Sequence, residues 1–258
     1  MELRIITYNT HGLPWSRDRS KEISEWLSTQ GADILCLQEV FTQKARDIFV
    51  KFLNRHGYEV CIPDDSGVTL LGSGLLTCFK IAKFKLLSHV FCSFQQYHNV
   101  EWFANKGFHC VRLKGTHTIA ILNTHTQSNT EVSFLFGKKV IHEIRAAQFE
   151  QMYNFSRGLK SRVLIVGDVN CDISPFHGVR FLSFLHNNLF HKSTFSETGE
   201  DLDQVGWIPD QYAKPRCSMC DIERFGPRLL ECKVHMIHLS DHYPVEFHIR
   251  VPRWENLS

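Results

Sequence analysis

The order of apolar and polar positions along the chain predicts many short strands and a few helices. Short apolar runs bounded by Gly, Asn or Pro are typical of strands, and apolar side chains at i, i+3 and i+4 spacing are typical of helices. The predicted helices cover residues 20–27, 42–55, 139–156 and 176–185. The predicted strands cover residues 3–8, 33–37, 58–62, 74–81, 84–94, 107–113, 118–123, 162–166, 205–208, 231–237 and 245–251.

Strands outnumber helices, and the two kinds of element do not alternate strictly. This order predicts an α+β sandwich rather than a doubly wound βαβ fold. No linker rich in Pro, Gly or Ser divides the sequence, and we therefore expect one domain over residues 1–258. Residues 210–227 are expected to be irregular.

The composition excludes several classes of protein. Lys and Arg number 29 against 27 Asp and Glu, so the net charge of +2 is not that of a protein wrapped in nucleic acid, although it permits a nuclease with a local basic groove. No apolar run reaches the roughly 20 residues of a membrane span, and residues 1–6 lack the pattern of a secretory signal. We expect an intracellular, cytoplasmic monomer that contacts membranes peripherally, if at all.

The nine cysteines are odd in number and lie mostly in apolar runs, which favours free thiols in a reducing compartment. Four residues form an incomplete zinc pattern, for which free thiols are the favoured alternative. These residues are Cys217, Cys220, Cys232 and His235.

Polar side chains follow five of the predicted strands at the point where each strand ends. They are Asn9, Glu39, His125, the pair Asp168 and Asn170, and the pair Asp241 and His242. Carboxylate and amide oxygens suit a hard divalent ion such as Mg²⁺, and a histidine beside an aspartate suits a general base. The chemistry that this set predicts is metal-assisted hydrolysis of a phosphate ester.

The same motifs, in the same order, resemble the endonuclease/exonuclease/phosphatase superfamily. Residues 105–108, 124–128, 144–148 and 240–244 resemble bacterial-type neutral sphingomyelinases more than nucleases. The resemblance implies a deoxyribonuclease I-like, four-layer α/β/β/α sandwich of two mixed β-sheets, with the site at one rim. The sequence departs from the secreted bacterial enzymes because it shows neither a signal peptide nor an aromatic hairpin before Ser240.

The resemblance also implies the cofactor, Mg²⁺ with Mn²⁺ as a substitute. Glu39 would be the main metal ligand, with Asn9 beside it. Asp241 would contact the same metal or a second ion, and Asp168 would orient the attacking water or share in its proton transfer.

In the implied mechanism, His242 takes a proton from that water. Asp203, favoured over Asp201 because an apolar strand follows it at once, would hydrogen-bond the other ring nitrogen. Asn170 and His125 would donate hydrogen bonds to the phosphoryl oxygens.

Two segments are candidates for contacts with the substrate. Residues 131–139 follow the His125 loop and place Phe134 and Phe136 near two lysines, a composition found in interfacial anchors and also in ordinary buried loops. Residues 101–106 combine aromatic side chains with Lys106, a candidate substrate-binding residue.

Three other polar residues lie close to these motifs in the sequence. Arg145 and Gln148 lie one helical turn apart, and we expect them on a solvated, partly packed helix face. His11 lies next to Asn9 and is therefore expected at the rim of the site.

The predicted function is an Mg²⁺-dependent phosphodiesterase similar to sphingomyelinases, which cleaves a choline-type phospholipid and releases phosphocholine. The alternative is a nuclease acting on DNA or RNA, or a soluble phosphatase, on the same scaffold. A binding module on an inactive scaffold is disfavoured because Glu39, Asp168, Asn170 and His242 are all present.

Overall fold

The computed structural model describes residues 1–65, 71–98, 104–128, 138–159, 161–170, 217–221 and 228–251. Several sequence predictions lie outside these residues. They are the helix at 176–185, the strand at 205–208, and the candidate residues Asp201, Asp203, Phe134 and Phe136.

Eleven strands and three helices lie within the described ranges. The strands are β1 (Glu2–Gly12), β2 (Ile34–Val40), β3 (Tyr58–Cys61), β4 (Leu76–Lys80), β5 (Lys85–Ser93), β6 (Gly107–Lys114), β7 (Thr118–His125), β8 (Arg162–Asp168), β9 (Cys217–Asp221), β10 (Arg228–Val234) and β11 (Val245–Arg250). The helices are α1 (Ser20–Thr29), α2 (Gln43–Arg55) and α3 (Lys138–Arg157).

The strands form two mixed sheets. The first has the order β10-β11-β1-β2-β4-β3 and the second has the order β5-β6-β7-β8-β9. Each sheet contains one parallel pair, β1 with β2 and β7 with β8, and its other neighbours are antiparallel. Since parallel neighbours end at the same edge, each sheet brings two strand ends together.

Three apolar clusters hold four layers together. Alternate residues of β1 face opposite sides, so Leu3 and Ile5 pack between the sheets while Ile6 and Tyr8 pack against α1 and α2. Met152 of α3 packs on the outer face of the second sheet. The predicted α/β/β/α sandwich is confirmed, and no helix in the described part of the chain is long and apolar enough to cross a membrane.

Local sequence signals explain two of the element boundaries. The Thr42 hydroxyl accepts a hydrogen bond from the Ala45 amide at 3.1 Å and caps α2, as the sequence predicts. Gly31, with φ of 69°, follows the end of α1 and allows the chain to turn into β2.

One prediction is wrong, because residues 210–227 are not irregular throughout. Residues Cys217–Asp221 form β9, which pairs antiparallel with β8 at the edge of the second sheet. This five-residue segment has little apolar alternation, so its strand conformation depends on main-chain bonds to β8 that no local pattern reveals.

The thiols that the structure describes agree with the sequence prediction. Five cysteines within the described ranges are free, and four of them are buried. They are Cys36, Cys61, Cys78, Cys92 and Cys110, of which Cys92 is half-buried.

Gly167 marks the close approach of β7 and β8. A Cβ atom at Gly167 would overlap with the Thr124 carbonyl, and its φ of 151° is one that other residues rarely adopt. We expect Gly167→Ala to lower the free energy of unfolding by about 3 kcal/mol, measured by urea denaturation.

Gly57→Ala is the matched control for that variant. Gly57 also has positive φ, 80°, but nothing lies within 4 Å of its Cβ position, so the cost should be only about 1 kcal/mol. Equal losses in the two variants would contradict the overlap argument.

Candidate active site

The topology brings the predicted site residues to one rim of the sandwich. Asn9 and Glu39 lie at the ends of the parallel strands β1 and β2. His125 lies directly opposite Asp168 at the ends of β7 and β8. His242 lies just before β11, whose first residue pairs with β1 near the end that carries Asn9.

Asn9 connects the two sheets at this rim. Its side-chain nitrogen donates to Glu39 Oε1 at 2.9 Å and to Asp168 Oδ2 at 2.8 Å. Its side-chain oxygen accepts from the His11 amide at 3.0 Å. The first bond lies within the first sheet and the second crosses to the other sheet, so one buried amide fixes the distance between two carboxylates.

Three residues of the site have a left-handed backbone. The φ angles are 50° for His11, 59° for Glu39 and 50° for Asn170. Such a conformation costs of order 1 kcal/mol or more for a residue other than glycine, and it persists only where the surrounding structure enforces it. Among the described residues these are the only ones other than glycine with positive φ, and all three lie in the candidate site.

His11 lies between two carboxylates. Its Nδ1 atom is 3.1 Å from Asp241 Oδ2 and 3.9 Å from Glu39 Oε2. The bond to Asp241 raises the pKa of His11, because the carboxylate stabilises the protonated ring.

Two further histidines face the same carboxylates. His125 Nε2 is 3.8 Å from Glu39 Oε1 and 3.7 Å from Asp168 Oδ2. His242 Nε2 is 3.8 Å from both Asp168 Oδ2 and Asp241 Oδ1. These separations exceed hydrogen-bond length, so each ring makes electrostatic contact with two carboxylates without being bonded to either.

The surroundings shift the pKa values of the three carboxylates in different directions. Burial raises the pKa of Glu39. Burial acts in the same direction on Asp168, but the His242 ring and the Asn9 amide outweigh it and lower the pKa. The pKa of Asp241 falls to about 2, because its bond to His11 and the nearby His242 ring overcome burial.

The donor set fits a hard divalent cation. The Glu39 and Asp241 side chains are 15% and 21% exposed, whereas that of Asp168 is 0% exposed, so water reaches the first two carboxylates but not the third. Within the described ranges, no three His, Cys, Asp or Glu residues form a compact ligand cluster. Mg²⁺ needs no such cluster, because it keeps several waters and binds through one or two carboxylates.

Lys106 and Asn170 meet at one carbonyl beside His125. Lys106 Nζ donates to the Thr126 carbonyl at 2.8 Å and lies 3.2 Å from His125 Nε2. The Asn170 amide donates to the same carbonyl at 3.0 Å, and its backbone nitrogen donates to Asp168 Oδ1 at 2.9 Å. The structure therefore places Lys106, a predicted substrate-binding residue, in a buried position within the site.

The prediction that Arg145 and Gln148 lie on a solvated helix face is wrong. Both are buried, and they hold the loop that follows His125. Arg145 Nε donates to the Gln127 carbonyl at 2.6 Å, while Gln148 Oε1 accepts from the Gln127 amide at 2.9 Å. The signal was present in the sequence, because Gln148 falls within the apolar periodicity of α3.

The zinc pattern receives no support from the one member whose side chain is described. His235 Nε2 lies 2.9 Å from Glu246 Oε2, and Glu246 also accepts from Arg4 at 2.6 Å. This ion-pair cluster lowers the pKa of Glu246 against the effect of burial. A structural role in joining β1, β10 and β11 accounts for His235.

Comparison with solved structures shows the same fold in several hydrolases. Sphingomyelinase C from Streptomyces griseocarneus is 18% identical with a TM-score of 0.73, over 96% of this chain and 99% of the other. A beta toxin variant from Staphylococcus aureus with bound magnesium ions is 14% identical with a TM-score of 0.71, over 96% and 99% of the two chains. D. rerio TDP2, complexed with a single-strand DNA product, is 13% identical with a TM-score of 0.67, over 97% and 99%.

These similarities show the fold class, a four-layer sandwich shared with these proteins. The Endonuclease/Exonuclease/phosphatase family model matches residues 6–218, which is most of the chain. The chain belongs to this family. No curated protein sequence matches the chain significantly.

Gln148 should contribute measurably to stability because one of its bonds is buried and the other is partly buried. It accepts from Gln127 and donates to the Gln96 carbonyl at 2.8 Å. Gln148→Met leaves both backbone groups without their partner, and we expect a loss of about 1–3 kcal/mol in urea denaturation.

Gln151, one turn further along α3, provides the matched control. It makes the same two kinds of bond, to the Gln95 amide and the Ser93 carbonyl, but water reaches them. Gln151→Met should therefore cost less than about 1 kcal/mol. An equal loss of unfolding free energy in Gln151→Met and Gln148→Met would show that burial does not determine how much these bonds contribute.

Proposed function

We propose that this chain is an Mg²⁺-dependent phosphodiesterase that cleaves a choline-type phospholipid by direct attack of water and releases phosphocholine. One observation carries the metal-dependent hydrolysis: His242 faces two carboxylates beside the partly exposed carboxylate of Glu39. This arrangement combines a general base with a site for a hard cation.

His242 is positioned to act as the base. Asp168 and Asp241 have lowered pKa values and are anionic at neutral pH, so they stabilise the imidazolium that forms when His242 accepts a proton. The Ser240 hydroxyl holds this loop, because it donates to the Asn9 carbonyl at 2.7 Å and accepts from the His242 amide at 3.2 Å. Asp203 remains the proposed partner of the other ring nitrogen.

The remaining side chains suit the phosphate group. Glu39 and Asp241, with Asn9 beside them, would hold Mg²⁺, which supplies positive charge to a phosphate oxygen when bound. His125 and Asn170 lie beside Asp168, with the ammonium group of Lys106 next to His125, and these three groups would orient the phosphoryl oxygens.

Two findings support a lipid substrate. Sphingomyelinase C shares the fold over nearly the whole chain. Trp15, which is 76% exposed, is the most exposed large apolar side chain in the described ranges. It lies on a tight turn next to the site, since the hydroxyl of the following residue, Ser16, donates to the carbonyl of His11 at 2.8 Å. Exposed tryptophans are typical of protein surfaces that contact membranes.

A substrate panel with and without chelator tests the proposal. We expect phosphocholine release from sphingomyelin in mixed micelles that vanishes with chelator, and no cleavage of plasmid DNA, abasic oligonucleotide, RNA or inositol phosphates. His242→Ala should lower kcat at least about 100-fold without changing the thermal midpoint, because the general base is lost. Glu39→Gln should raise the Mg²⁺ concentration that half-maximal activity requires.

His248→Ala is the control, since His248 is a half-exposed histidine paired with Glu2 away from the site. It should keep wild-type activity. Cut DNA or RNA with intact lipid would establish the nuclease alternative, and near-normal turnover in His242→Ala would remove the base assignment.

The Trp15 contribution can be measured separately from the chemistry. In Trp15→Ala we expect the ratio of turnover on sphingomyelin vesicles to turnover on a water-soluble phosphodiester to fall about tenfold, because burying an indole in a membrane interface is worth more than 1 kcal/mol.

Ile81→Ala serves as its control. Ile81 is 57% exposed and follows β4 at the end of the sandwich opposite the site. Its substitution should leave the ratio unchanged. A Trp15→Ala protein with an unchanged ratio would refute the membrane contact while leaving the hydrolase proposal intact.

A further inference from the structure

A layer of buried polar side chains lies between the two sheets, directly below the candidate site. It consists of Thr7, Gln38, Thr77, His109 and Asn123, and none of them is exposed to solvent. Further from the site, the inward-facing residues of the same strands are apolar. Buried polar groups stabilise a core only when they are fully hydrogen-bonded. The presence of polar side chains in the layer next to the site therefore suggests that they have a specific role.

Gln38 and Asn123 form the bond that crosses between the sheets in this layer. Gln38 Nε2 donates to Asn123 Oδ1 at 2.8 Å. The same nitrogen lies 3.1 Å from the Thr7 hydroxyl and 3.0 Å from the Cys36 carbonyl. The Gln38 side chain is therefore fixed to its own strand, to β1 and to β7.

Asn123 completes the connection through the main chain of the first sheet. Its amide nitrogen donates to the Leu76 carbonyl at 2.9 Å and to the Leu37 carbonyl at 3.2 Å. One side chain of β7 thus holds the ends of both β2 and β4.

The two amides lie next to the site residues along the chain. Gln38 directly precedes Glu39, and Asn123 is two residues before His125 on the same face of β7. Regular alternation along β2 would turn Glu39 away from the face that Gln38 occupies. The left-handed backbone at Glu39 breaks that alternation and directs the carboxylate to Asn9.

The left-handed conformation of Glu39 is enforced from both sides. After Glu39 in the chain, the Val40 amide donates to the Gly74 carbonyl at 2.8 Å. Gly12 also approaches the Glu39 carbonyl so closely that a Cβ atom at residue 12 would overlap with it. Before Glu39 in the chain, Gln38 is fixed by its side-chain bonds to Asn123 and Thr7.

We propose that Gln38 and Asn123 are positioning residues: their inter-sheet bond holds the left-handed backbone of Glu39 and the spacing between Glu39 and His125. The metal affinity of the site then depends on two residues that contact neither metal nor substrate. The effect on metal affinity rests on the proposed function, whereas the effect on the backbone does not.

The test compares Gln38→Met and Asn123→Leu, which keep the side-chain volume and remove the bond, with Ile121→Ala. Ile121 is a buried apolar residue of β7 in the inter-sheet cluster, so its truncation destabilises the fold without touching the polar layer. The first readout is amide hydrogen exchange at Val40 by NMR. The second is Mn²⁺ affinity by electron paramagnetic resonance, with thermal midpoints measured for all variants.

We expect Val40 exchange to become at least about tenfold faster and Mn²⁺ affinity to fall about tenfold in both polar-layer variants. Ile121→Ala should change neither quantity to that extent, even though its thermal midpoint falls at least as far. Gln38→Met keeps the Asn123 bonds to β2 and β4, so it provides the test if Asn123→Leu does not fold.

Val40 exchange that changes no more in the polar-layer variants than in Ile121→Ala overturns the proposal. A wild-type protein that binds no Mn²⁺ would refute the metal assignment of the proposed function, while the exchange readout still decides the positioning role. Faster exchange with unchanged Mn²⁺ affinity would refute the link from this layer to the metal site.

Discussion

The Asn9 amide is the interaction on which the site depends, because it joins one carboxylate from each of the two sheets. Its two bonds to Glu39 and Asp168 are 2.9 and 2.8 Å long, and each offsets part of the cost of removing a carboxylate from water. Without this donor, the Glu39 and Asp168 carboxylates would lie close together with no hydrogen bond from Asn9 to offset their repulsion. The fixed spacing of the strand ends is therefore a condition for the chemistry.

The structure supports this rim at three depths. The buried amide pair of Gln38 and Asn123 ties the sheets together one layer below the site. At the level of the site, histidine rings lie beside every carboxylate and oppose the cost of burial. On the outside, α3 holds the loop after His125 through Arg145 and Gln148. The first and third supports are networks of hydrogen bonds and the second is electrostatic, and together they give a framework for orienting a phosphate ester.

Sequence periodicity predicted the strands and helices that pack on a core, because burial on one face dictates their pattern. It did not predict β9, whose conformation depends on pairing with β8. It also did not predict that Arg145 is buried, because a charged side chain is normally expected at the surface. Motif order placed Glu39 and Asp168 in one site, but it gave no sign of the left-handed backbone that turns Glu39 inward. That conformation is imposed by contacts distant in sequence, such as the one with Gly12.

The central claim is that the carboxylates of this rim hold a hard divalent cation beside His242. The most direct measurement is a crystal structure of the protein grown with Mn²⁺, with data recorded at the manganese absorption edge. The account predicts an anomalous peak about 2.0–2.3 Å from a Glu39 carboxylate oxygen, with His242 facing the space beside it. A fully ordered site without such a peak, or a peak held by other residues, would contradict the account.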